Sequence, residues 1–189
     1  MTTPLRWLIT LLLACASGQA ALAQTVKLAT SMGDIVVQLD ADKAPKTVAN
    51  FVQYVKDGHY DGLIFHRVIS SFMIQGGGYD ADMRERATRA PIPLESRNGL
   101  SNRRGTIAMA RTNVPDSATS QFFINVVDNQ RLDAANSPDG NGYAVFGKVA
   151  SGMDVVDKIR EVPVGNRAGH QNVPQQPVVI RKATLESSK

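Results

Sequence analysis

The sequence predicts a mainly β domain: a closed barrel of short strands with its ends plugged by two α-helices. Three observations carry this. Short apolar runs recur along the chain, separated by polar or glycine-bearing loops. Only two segments space their apolar residues as a helix does. The chain has 189 residues, 43% hydrophobic and 20% charged, with no repeat and no interdomain linker, which is the composition of one globular domain.

The elements follow in chain order. Val26 to Thr30 and Ile35 to Leu39 alternate apolar and polar residues around Ser31-Met32-Gly33-Asp34, a hairpin signal. A helix is expected from about Pro45 to Asp57. Proline suits its first turn, and Val48, Phe51, Val52 and Val55 fall on one face before Gly58 stops it. Strands are expected over Leu63 to Val68, Phe72 to Gln75, Thr106 to Ala110, Gln121 to Val126 and Ala144 to Val149. A second helix is expected over Met153 to Arg160, with Ser151 as its N-cap and Asp154 three residues on. Val178 to Glu186 reads as a closing strand. Gly76 to Arg97 and Asn129 to Gly142 read as long loops of the kind that bind ligands.

The first 23 residues read as a targeting segment. Arg6 supplies a positive start, Trp7 to Ala16 an apolar run too short to span a bilayer, and Ala21-Leu22-Ala23 a cleavage site. A signal peptide cut after Ala23 leaves a domain of residues 24–189. Leu12-Leu13-Ala14-Cys15 loosely resembles a lipobox, an alternative route through Cys15, and a buried N-terminal helix is the other alternative to the signal peptide. Cleavage removes the sole cysteine, so the remaining chain folds in an oxidising compartment without wrong disulfides.

Several chemistries lack their parts. The net charge is +4, but no basic run exceeds a pair such as Arg103-Arg104, so a nucleic-acid partner is not expected. His59, His66 and His170 show no H-E-x-x-H spacing, and one cysteine builds no metal site. Ser70 and Ser71 stand near His66 without a G-x-S-x-G elbow. Gly76-Gly77-Gly78 is not followed by G-K-[ST] and reads as a flexible bend at a strand end. No paired carboxylates fall on one identifiable surface. On residues alone, Phe72, Met73, Phe123 and Leu132 read as plain core, and Gln75 and Gln121 as edge-strand polars. Arg67 is a charge in an apolar run, which wants a partner and reads as half of an ion pair.

Five blocks change that reading. They are Phe65-His66-Arg67-Val68-Ile69, Phe72-Met73-Ile74-Gln75-Gly76-Gly77, Gly105 to Arg111, Ser117 to Asn125, and Tyr143 to Val149. In this order and spacing, over essentially Thr25 to Leu185, they closely resemble the cyclophilins, the cyclosporin-binding class of peptidyl-prolyl cis-trans isomerases. With the export segment, Asn98 to Asn102 and Asp116 to Ser120, the chain is most similar to periplasmic members from Gram-negative bacteria.

The resemblance implies an eight-stranded antiparallel closed barrel capped by two helices. It implies isomerisation of X-Pro bonds in proline-containing segments of exported proteins, by a monomer with no cofactor, metal or membrane anchor. A binding module or chaperone that grips such segments with little turnover is the alternative; intact Arg67, Gln75 and Phe123 favour the enzyme. The resemblance assigns Arg67, Gln75 and Phe72 to catalysis, Arg67 as donor and Gln75 orienting it. Phe72, Met73, Phe123 and Leu132 match the proline pocket. Gln121 and the backbone of Ala110, Arg111 and Thr112 match the peptide strip, and His66 matches a motif position where packing is an equal reading. Two positions depart from many eukaryotic members: Arg131 replaces a tryptophan and Tyr143 a histidine. Proline catalysis tolerates both, whereas cyclosporin affinity comes into doubt.

Overall fold

A computed structural model describes residues 24–186; the expected signal peptide lies outside them. Eight strands form one sheet: β1 Thr25–Thr30, β2 Gly33–Leu39, β3 Leu63–Ile69, β4 Met73–Asp80, β5 Thr106–Met109, β6 Phe122–Asn125, β7 Val145–Ser151 and β10 Ile180–Glu186. Their order is β10-β1-β2-β7-β5-β6-β4-β3, and every pairing is antiparallel. The sheet curls until its two edges meet. Gly62 N–H donates to the Ile180 carbonyl at 2.8 Å and Phe65 N–H to that of Val178 at 3.0 Å, with a single bridge between Ile64 and Val179. The barrel is therefore joined at this seam by a short contact rather than a full ladder.

Alternation places the core. Val26 and Leu28 on β1, and Ile35, Val37 and Leu39 on β2, all point inward and are buried. Helix α1, Pro45–Lys56, buries the expected stripe of Val48, Phe51, Val52 and Val55. Phe51 meets Tyr60, Phe122 and Phe146 at ring-centroid distances of 5.1–5.6 Å. No local side chain caps α1. Glu95 does so from a distant loop, accepting the N–H groups of Lys46 (3.1 Å) and Thr47 (2.8 Å).

Helix α2, Met153–Arg160, occupies its expected span, but Gly152 and not Ser151 is the N-cap. Gly152 turns at φ +89, packed against the Asp34 carbonyl, where a side chain has no room. The glycine triplet also differs from expectation. Gly76 to Gly78 lie inside β4, which continues to Asp80, so the first long loop begins five residues later. A Cβ on Gly78 would stand 2.7 Å from the Gln121 side chain, so the small residue is what admits that glutamine. Finally, a hairpin outside the barrel, β8 Val164–Arg167 with β9 His170–Pro174, was not expected from the sequence. It packs beside β3.

Candidate active site

The site stands on β3, β4 and β6. Arg67 lies opposite Gln75, and Gln75 opposite Phe123. Between Phe65 and Arg67 the register slips, because His66 is an extra residue on β3. This bulge re-aims the strand where the arginine leaves it. Arg67 makes no ion pair among the described residues. Its Nη1 donates to Gln75 Oε1 at 3.2 Å, and Gln75 Nε2 donates to Gln121 Oε1 at 3.0 Å. The second bond turns the Gln75 amide so that its oxygen faces the guanidinium. Gln75 sits between β3 and β6, inside the sheet rather than on an edge.

Beside this row lies a separate apolar cluster. Met73, Ala108, Phe123 and Val145 are buried, and Phe72, Ala110, Leu132 and Tyr143 pack against them half-buried. Phe123 meets Tyr143 edge to face at 5.7 Å. The cluster is thus a partly exposed apolar patch, separate from the main core, and joined to the arginine row where Phe123 lies opposite Gln75. Arg131 is exposed, and its guanidinium carbon lies 4.8 Å from the Phe72 ring centroid, a cation–π contact.

Arg111 and Thr112 enter differently. The Arg111 side chain is only 3% exposed. It pairs with Asp139, donates to the carbonyls of Gly142 (2.8 Å) and Thr112 (2.9 Å), and covers the Tyr143 ring at 4.7 Å. Thr112 ties its own N–H and hydroxyl to Ser117. Ala110 N–H donates to the Gln121 carbonyl at 2.9 Å. Arg111 therefore braces the loop behind Tyr143.

Sequence reasoning missed a buried asparagine chain that reaches Phe72 and the loop of Leu132. Asn129 Nδ2 donates to the Phe72 carbonyl (2.8 Å) and to Asn125 Oδ1 (2.8 Å). Asn125 Nδ2 donates to Asn102 Oδ1 (3.2 Å) and Thr106 Oγ1 (2.9 Å). Asn102 in turn donates to Asp133, on the loop that carries Leu132. These side chains tie the carbonyl of Phe72 and the Leu132 loop to β5 and β6. No sequence motif marks them, because asparagine is ordinarily a surface or turn residue.

His66 is buried, 4% exposed, and meets Tyr79 edge to face at 4.7 Å. Burial, then the charges of His170 and Arg67, hold its pKa down to about 4. Unfolded histidine binds a proton near pH 6.5, so between there and pH 4 the unfolded chain holds the extra proton. Stability from this group is complete above pH 6.5 and falls as pH drops toward 4, by about 3 kcal/mol in all. Urea unfolding of wild type and His66→Phe at pH 7 and 4.5 checks this. The phenylalanine variant is expected to lose less stability over that interval; an equal loss contradicts the assignment.

A curled antiparallel sheet with two helices, carrying an apolar cluster next to an arginine held by glutamine, defines the class of fold and site. Residues 25–185 match the family model described as cyclophilin type peptidyl-prolyl cis-trans isomerase/CLD. The chain belongs to this family of enzymes. It is 59% identical over 162 residues to peptidyl-prolyl cis-trans isomerase cyp18 of Streptomyces antibioticus, covering 85% of this chain and 98% of that one. It is 54% identical over 157 residues to peptidyl-prolyl cis-trans isomerase B of Escherichia coli, covering 82% and 96%. A solved cyclophilin type isomerase from Cryptosporidium parvum superposes with a TM-score of 0.73 at 26% identity, covering 89% of this chain and all of that one.

Proposed function

We propose that this isomerase acts in the periplasm on X-Pro bonds of exported proteins, with Arg67 as the group that lowers the barrier. An X-Pro amide rotates slowly because resonance gives its C–N bond partial double-bond character, with a barrier of about 18–20 kcal/mol. No bond breaks, so neither nucleophile nor metal is needed. In the twisted state the nitrogen becomes pyramidal and gains a lone pair. A guanidinium N–H aimed at that nitrogen then finds an acceptor that the planar ground state lacks, and it stabilises the transition state selectively. A rate gain of order 10⁴–10⁵ corresponds to about 5–7 kcal/mol. A charge-assisted hydrogen bond in a partly desolvated site supplies much of that.

The observation that carries this reading is the Arg67–Gln75–Gln121 row beside the Phe72, Met73, Phe123 and Leu132 depression. The depression seats the pyrrolidine ring, and the row fixes the donor. The test is a protease-coupled assay on a short X-Pro peptide with catalytic amounts of protein. Faster conversion of the cis fraction supports it; saturable binding without acceleration supports a proline-binding module instead.

Export rests on Arg6, the apolar run and Ala21-Leu22-Ala23. Mass spectrometry of the periplasmic fraction is expected to find an N-terminus at Gln24, free or cyclised. A lipid-modified Cys15, or full-length protein in the cytoplasm, rejects this processing.

Drug sensitivity is expected to be low, because Arg131 presents a charged head over Phe72 where an indole would offer an apolar face and an N–H. Arg131→Trp is expected to tighten cyclosporin inhibition by about 1–3 kcal/mol. Tight inhibition of the unmodified protein, or no gain in the variant, removes this residue from control of the drug.

A further inference from the structure

A cavity of about 440 Å³ opens on Arg67 and Gln75 and shares no lining residue with the apolar cluster around Phe123. Its walls include His66 and Arg67 on β3, Gln121 just before β6, and His170, Gln171 and Asn172 on the β8–β9 hairpin. Each of these side chains carries an N–H donor, and no aspartate or glutamate lines the cavity. Glu85 pairs with Tyr79 through the backbone and stays outside the lining. His66 Nδ1 is buried and has no hydrogen-bond partner, although the residue faces this polar space. Tyr79 stands between the two histidines, with ring-centroid distances of 4.7 Å to His66 and 4.9 Å to His170, and so fixes His170 at the cavity wall. Ala168 at the hairpin turn and Asn172 within β9 keep left-handed backbones at φ +50 and +60.

We propose that this cavity is a subsite for a carboxylate side chain near the substrate's proline, so that the enzyme prefers X-Pro segments flanked by aspartate or glutamate. The inference rests on the reading that Arg67 faces the reacting amide, because only then does the hairpin lie along the bound peptide. His170, Gln171 and Asn172 receive the carboxylate. The charge of Arg67 adds its field while the guanidinium stays with Gln75 and the amide. With no carboxylate in the wall, N–H groups on the hairpin and the Arg67 charge beside them, the cavity favours an anion over an ammonium.

The test uses peptides that differ only in glutamate against glutamine, placed one or two residues before or after the proline. At one of these positions kcat/KM is expected to be about three- to tenfold higher for glutamate at low ionic strength. The ratio is expected to fall toward one by ~0.5 M salt, and to be lost in the His170→Ala/Gln171→Ala double variant. A ratio of one at every position, with the glutamine peptides turned over normally, overturns the subsite and leaves the isomerase reading intact. So does a ratio that survives in the double variant. If no peptide is turned over, the isomerase reading fails, and peptide titration followed by NMR decides the subsite. Amide shifts at Gln171 and Asn172 caused by glutamate peptides alone sustain it, and equal shifts with glutamine peptides reject it.

Discussion

Arg67→Ala is expected to lower kcat/KM for an X-Pro peptide by about 10²–10³, the cost of removing one donor aimed at a transition state. The loss is expected in kcat rather than KM, because the planar ground-state nitrogen offers that donor nothing to bind. Arg67→Lys keeps the charge but not the planar fork, and is expected to fall between alanine and wild type. The fold persists in both. Arg67 is half-buried and makes one side-chain bond, to Gln75, so the change in stability stays within about 1 kcal/mol. Wild-type turnover in both variants removes Arg67 from the mechanism.

Gly142→Ala is expected to damage fold and site together. Gly142 turns at φ +64, and a Cβ there would stand 2.5 Å from Ala134 N and 2.6 Å from the Leu132 carbonyl. That carbonyl accepts the N–H of Tyr143 at 2.9 Å, and the Gly142 carbonyl accepts Arg111 Nε. The contacts are with backbone, so the loop must move, taking Leu132 and Tyr143 with it. Left-handed strain plus overpacking amounts to about 2–4 kcal/mol. Urea denaturation is expected to show that loss, and steady-state kinetics a rise in KM larger than any fall in kcat, because the Arg67 row is untouched. Unchanged stability and KM contradict the view that this loop builds the proline pocket.

Much of the fold was legible where local signals agreed with tertiary burial. Pro45, the Val48-Phe51-Val52-Val55 stripe and Gly58 bound α1 closely, and the first hairpin was legible, although its turn is only Ser31-Met32, with Gly33 and Asp34 already paired in β2. The β8–β9 hairpin was not legible, because β8 is mostly exposed and polar and owes its pairing to its position beside β3. The cap of α2 was misassigned because Ser151 fits the local pattern, while the close pass of Gly152 to Asp34 is a tertiary fact. At the site, resemblance brought out Arg67, Gln75 and the apolar residues. The His66 bulge, the Gln75–Gln121 bond and the asparagine chain needed coordinates. A one-residue slip and a buried amide leave no periodic trace in a sequence.

The central claim is that this chain turns over X-Pro bonds rather than merely holding them. Exchange NMR on an X-Pro peptide, with the protein far below stoichiometric amounts, measures cis–trans interconversion directly and needs no coupling protease. Cross-peaks between the cis and trans proline signals at mixing times under a second are expected, against tens to hundreds of seconds for the free peptide. Peptide shifts that report binding, with no exchange cross-peaks, contradict the account.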